Sequence, residues 1–230
     1  MIQSFLKSYS EIQVYLLSKQ ELNRLATVDI TILRQLEFFL SIFKECSENL
    51  SADSHPTLNE VYQWRQKLLQ FCQPSEGDTT IIEALKIRTG CLLKERFIMQ
   101  PLHKVGFILD PNFKSLKFLS EEEKNDIYKT TIKMLNVIKY DMNKSMPNLD
   151  DTDIPSPSIE ENGEDELKRF IAQKTNINDS ILKFWNHENS FPFLKKLASK
   201  ILSAPASSAS SERLFSVANH LLEERRTQLK

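Results

Sequence analysis

Apolar residues recur at intervals of three and four along most of this chain, a spacing that gathers them on one face of an α-helix. Ile32, Leu36, Phe39, Leu40 and Phe43 make one such stripe, and Val61, Trp64, Leu68 and Phe71 a second. Ile127, Thr131, Leu135 and Ile138 make a third, and Phe193, Leu194, Leu197, Ala198, Ile201 and Leu202 a fourth. Only 4 of 230 residues are glycine, where about 7% is usual. So few glycines argue against many tight hairpins and against glycine-rich phosphate loops. The expected fold class is mainly α.

Punctuation between the stripes sets the element order. Residues 1–49 read as helix with a break near Thr27–Val28–Asp29, and Asn49 to Pro56 is turn-like. A helix is expected from about Leu58 to Phe71, and another from Ile81 to Phe97, with Leu85, Leu92 and Leu93 among its core candidates. Val105–Leu109 is too short for periodicity to choose between a strand and a buried helix end. Ser120 and Glu123 form a capping box and open a helix that should end before Pro147. Between Ser145 and Glu166 stand eight acidic residues, no basic ones, and Pro147, Pro155 and Pro157. Self-repulsion and low apolar content make this an exposed linker. From Leu167, Phe170, Ile177, Ile181, Phe184 and Trp185 suggest helix, a turn at Asn176–Asn178, and a second apolar segment. The next helix should stop near Ala204–Pro205. Ser207, Ser208, Ser210 and Ser211 offer caps to a last helix with Leu214, Phe215, Ala218, Leu221 and Leu222 on its apolar side. The expected organisation is a helical region 1–144, an acidic linker 145–166 and a smaller helical unit 167–230.

Thirty basic residues against 31 acidic ones give a net charge of -1, which disfavours a strongly basic nucleic-acid binder as a description of the whole chain. Residues 181–230 are locally basic, with eight basic and four acidic groups. Three cysteines (Cys46, Cys72, Cys91) cannot build a disulfide framework. No run approaches the roughly 18 apolar residues of a membrane span. His55, His103, His187 and His220 have no zinc spacing, and there is no CxxC, so no metal and no cofactor is expected. Glu212 stands in the first turn of the last helix, where a carboxylate is favoured by the helix dipole alone. Arg225 and Arg226 read by default as a solvated face, with a phosphate or partner contact as the sharper alternative.

One string of residues exceeds what periodicity explains. Phe184–Trp185, Phe191–Pro192–Phe193–Leu194, Leu197–Ala198, and the run from Ala204 through Pro205, Ser207, Ser208, Ser211, Glu212, Arg213, Phe215 and Ser216 resemble the C-terminal motif of hAT-superfamily DNA transposases and their domesticated descendants. Arg225, Arg226 and Leu229 are similar to its continuation. Upstream, Asp110, Pro111, Phe113 and Lys114 resemble a short family segment, with Asn112 where arginine is common, and His55–Leu58 resembles a further stretch.

That resemblance implies the end of a helical insertion domain over residues 1–144, followed by the C-terminal helical part of an RNase H-like core, an incomplete fold. It matches Glu212 to the family's third catalytic acid. The two preceding aspartates have no matching segment here, Asp110 does not replace either, and the family's BED zinc finger has no counterpart. The missing continuation after Lys230 makes the chain look like a C-terminal piece of a longer protein.

The function expected is therefore protein–protein interaction and dimerisation without autonomous transposase activity, in the nucleus. The partner is a second copy or a related hAT-derived protein, with DNA possible in a full-length context and neither membrane nor small-molecule substrate. Phe184, Trp185, Phe191, Phe193, Leu194, Leu197, Ala198, Leu214, Phe215, Ala218 and Leu222 are the candidate interface, because aromatic and apolar groups carry interface energy. Arg213, Arg225 and Arg226 are candidate phosphate contacts. Two alternatives are a DNA-binding or transcription-regulatory fragment, and an active transposase whose missing acids come from upstream sequence or a partner.

Overall fold

The computed structural model describes residues 1–117, 119–144, 163–174 and 180–216. Among the described residues there are helices, turns and loops but no strand, as expected of a mainly α chain. The chain divides into two compact units, Met1–Glu48 with Trp64–Ile98, and Asn49–Gln63 with Met99–Lys230.

The first unit holds α1 (Ile2–Lys7), α2 (Tyr9–Ser18), α3 (Ile30–Leu50), most of α4 (Val61–Phe71) and α5 (Thr80–Arg96). The expected break at Thr27–Asp29 becomes a helix start because Asp29 Oδ1 accepts the N–H groups of Thr31 (2.8 Å) and Ile32 (3.1 Å), two donors that a helix cannot satisfy itself. The buried seam of α3 is Phe39, Ile42 and Cys46. Leu40, read from sequence as part of the stripe, is 44% exposed. It lies one residue, about 100° around the helix, from the seam. Phe39 stacks on Phe71 at 6.0 Å, and Trp64 and Leu68 are buried as their spacing predicts. On α5, Leu85, Leu92 and Leu93 are only half-buried, and Ile82 carries the burial. Burial pushes the Cys46 thiol up to about 11 and raises that of Cys72 as well. At pH 8, iodoacetamide should therefore alkylate the exposed Cys91 and spare the other two until denaturant is added, because the thiolate is the reactive form. Mass mapping of the modified peptides checks the order.

The second unit holds α6 (Pro101–Ile108), α7 (Glu121–Lys144), α8 (Gly163–Ala172), α9 (Ile181–His187), α10 (Pro192–Leu202) and α11 (209–216). The Val105–Leu109 stretch is the buried end of α6, not a strand. The capping box forms as read: the Glu123 N–H donates to Ser120 Oγ (3.3 Å), and the Ser120 N–H donates to Glu123 Oε2 (3.1 Å). All four inward residues of α7 (Ile127, Thr131, Leu135, Ile138) are buried. Ile108, Leu135, Phe170 and Leu194 bring α6, α7, α8 and α10 into one apolar cluster, each with essentially no exposed surface. Glycine permits two close approaches within it. A Cβ on Gly106 would lie 3.3 Å from the Asn59 backbone, and one on Gly163 would lie 3.2 Å from Leu135 Cβ.

This packing runs across the expected boundaries. Residues 99–144 share their core with α8–α10 rather than with the N-terminal helices, because the buried faces of α6 and α7 are the ones that α10 covers. The expected linker also ends earlier than Glu166. Residues 145–162 lie outside the described residues, but Gly163–Glu166 already form the first turn of α8. The expected turn at Asn176–Asn178 and the side chain of Ile177 are outside the described residues too.

Candidate interaction site at the C-terminal end

The apolar residues of α8, α9 and α10 converge on Phe170. Its ring lies 5.2 Å from that of Trp185, 5.5 Å from Phe191 and 6.3 Å from Phe184. The Trp185 Nε1–H donates to the carbonyl oxygen of Leu109 at 2.9 Å, so the ring is fixed at its polar end as well as its apolar one.

The start of α10 is unusual in its capping. Its N-cap is Phe191, which has no side-chain acceptor, and Pro192 removes one backbone donor. The acceptor comes from α8. Glu166, with no exposed surface, accepts the N–H of Leu194 at Oε1 (2.7 Å) and that of Phe193 at Oε2 (3.3 Å). A buried carboxylate against the positive end of a helix satisfies two donors and the dipole together. Glu166 was one of eight acids in an expected linker. The sequence signal that singles it out is the Phe–Pro start of α10, which needs an acceptor from elsewhere.

The Asp110–Lys114 stretch proves structural. Buried Asp110 accepts from Asn59 Nδ2 (3.1 Å) and from the Asn112 N–H (3.0 Å), closing a turn after α6. Burial raises the pKa of its carboxyl. Phe113 stacks on Phe107 at 5.4 Å. Lys114 Nζ sits 4.4 Å above the Phe170 ring, and burial lowers its pKa.

Beyond α10 the chain turns at Pro205 onto a second family-like stretch. The Ala206 N–H donates to Thr57 Oγ1 at 2.9 Å, joining the His55–Leu58 and Ala204–Ser208 runs. Ser207 Oγ accepts the Ala209 N–H as α11 begins (3.4 Å). Arg213 Nη2 donates to Asp53 Oδ2 (2.7 Å) and to the Ser51 carbonyl (2.8 Å), and the Ser210 hydroxyl donates to the other Asp53 oxygen. The hydrogen bonds from Ser210 and Arg213 hold the Asp53 carboxyl below the usual carboxylate range. Arg213, a candidate phosphate contact, thus has its guanidinium engaged within the chain. Glu212 is exposed and accepts the Ser208 hydroxyl. Among the described residues no three or more His, Cys, Asp or Glu cluster as metal ligands.

The candidate interface residues therefore divide. Trp185, Phe191, Phe193, Leu194, Leu197 and Ala198 are at most 5% exposed, and their surface is already spent in the chain's own core. Within this chain they are core residues. Phe184 is half-buried against Phe170 and Trp185. Leu214 and Phe215 are 73% and 71% exposed on α11. Ala218, Leu222, Arg225 and Arg226 lie outside the described residues.

Residues 166–230 match the hAT family C-terminal dimerisation region. The match begins at the residue that caps α10 and takes in α9, α10 and α11. The chain is also 35% identical over 82 residues to the Hobo transposable-element transposase of Drosophila melanogaster. The chain is related to the hAT-superfamily transposases. A further relative of the hAT-related chain, 35% identical over 66 residues, is a candidate transcriptional regulator, tpeD, of Talaromyces stipitatus. These matches cover 32% and 29% of the hAT-related chain and only 13% and 8% of the two relatives.

Proposed function

We propose that residues 166–230 join two copies of this chain, or this chain and a related hAT-derived protein, and that this is its function. The observation that carries the reading is the match of that segment to a dimerisation region. The large apolar groups left uncovered on α11 support it, since exposed aromatic and aliphatic anchors are the usual centres of interfaces. Sedimentation equilibrium of the full chain tests it. The mass should rise from 26.7 kDa toward twice that value with concentration. A constant 26.7 kDa up to high micromolar protein, with a helical circular dichroism spectrum, would overturn the reading.

The wider setting rests on the resemblance. Residues 1–144 then correspond to the end of the family's helical insertion, and the C-terminal part to the returning helices of an RNase H-like core. The transposase and regulator relatives favour a nuclear protein that works at DNA as part of a longer polypeptide.

Two-metal strand cleavage needs several carboxylates around two ions roughly 4 Å apart. The described residues do not fit that arrangement, since among them Glu212 is not part of any group of three or more His, Cys, Asp or Glu. Labelled linear DNA incubated with this chain and Mg²⁺ or Mn²⁺ should stay uncut. Cleavage that disappears in Glu212→Gln would show that the chain assembles a catalytic centre after all.

A further inference from the structure

Two features of the second unit complement one another. Leu214 and Phe215 stand 73% and 71% exposed on α11. Beside α11 is a groove of about 350 Å³ whose apolar lining comes from Ala52, Pro56, Leu182, Leu202, Ala204 and Pro205, with polar residues making up the other half of its wall. Leu182 on its rim is itself 50% exposed. Neither Leu214 nor Phe215 lines the groove of its own chain. Ser210 and Arg213 hold α11 to Asp53, another residue of the groove wall, so the helix and the groove keep a fixed relation. A cavity of roughly 150 Å³ accepts a benzene ring. The groove therefore has room for a phenylalanine ring and a neighbouring leucine.

We infer that in a two-fold dimer the Leu214–Phe215 pair of each copy seats in the groove of the other. The inference rests on the dimer reading and names its surfaces. The occupant is a second copy because the knob and four of the six apolar residues of the socket (Leu182, Leu202, Ala204, Pro205) fall within the segment that matches a dimerisation region. A patch that carries both knob and socket is self-complementary, and two such patches close under a two-fold axis without leaving a free end. The salt bridge of Arg213 to Asp53 then positions the knob without itself crossing the interface.

The test uses the full chain. Phe215→Asp and Leu182→Asp change exposed side chains. Each should weaken self-association by about tenfold or more in sedimentation equilibrium, by placing a charge in a desolvated contact. Mixing the two variants should restore part of the affinity, because the mixed dimer keeps one intact knob and socket. Independently, benzoylphenylalanine in place of Phe215 retains the aromatic ring. In a mixture of isotope-labelled and unlabelled chains it should crosslink to residues 182 or 202–205 of the other copy. A monomeric wild type would remove the dimer reading and this inference together. A dimeric wild type whose two variants associate normally, or whose crosslinks map elsewhere, would remove only the seating. If either aspartate variant loses its helical circular dichroism spectrum, the crosslink map alone decides.

Discussion

Trp185→Ala should destabilise the second unit by about 3–5 kcal/mol, the range for truncating a fully packed large aromatic. Trp185 is 4% exposed and lies 5.1 Å from the Phe184 ring and 5.2 Å from Phe170. Truncation leaves a cavity in the middle of that cluster and removes the donor to the Leu109 carbonyl at the end of α6. Trp185→Phe separates the two losses. It keeps most of the packing, so it should recover most of the stability, falling short by about 0.5–1.5 kcal/mol for the hydrogen bond plus the smaller ring. Urea denaturation followed by circular dichroism measures both variants. A change below about 1 kcal/mol for the alanine variant is the result that would place Trp185 outside the core.

The second large effect is expected at Glu166. Its carboxylate accepts the Leu194 and Phe193 N–H groups at the start of α10 with no access to water. Glu166→Ala leaves both donors buried without this acceptor, at about 1–3 kcal/mol each, and removes a negative charge from the helix N-terminus, at up to about 2 kcal/mol. Glu166→Gln keeps an acceptor oxygen and should lose a smaller share. The order alanine, glutamine, wild type in denaturation midpoint is the expected outcome. Equal midpoints for alanine and wild type would mean that α10 has another cap.

Most of the helical content was legible in the chain because periodicity and caps acted locally. Ser120 and Glu123 are three residues apart, and the inward face of α7 follows from its own spacing. What the sequence leaves illegible has one physical origin. Burial of an amphipathic face requires a partner, and a single sequence does not say which one. The apolar stripe of α10 therefore reads as a surface for a second copy, and only the fold shows α6, α7 and α8 of the same chain packed against it. Glu166 reads as part of an acidic linker for the same reason, since its role exists only once Phe193 and Leu194 arrive 27 and 28 residues later. Leu214 and Phe215 stay exposed because α11 meets the rest of the second unit through Ser210 and Arg213 instead of through its apolar side.

The division of the chain has a consequence for its synthesis. All of the first unit has been made once Ile98 emerges, but residues 49–63, which belong to the second unit, have by then already left the ribosome. Their first partners follow closely, since Tyr62 stacks on Phe107 of α6 at 4.9 Å and Asn59 donates to Asp110, but the core they belong to is complete only when α10 ends at Leu202. About a hundred residues separate those two points, which at about 5–20 residues per second amounts to about 5–20 s of translation. Throughout that interval the nascent polypeptide carries a completed first unit and apolar faces of α6 and α7 that α8 and α10 have yet to cover. A chaperone that binds short hydrophobic segments has its clearest window there, before Thr57 meets Ala206 across 149 residues of chain.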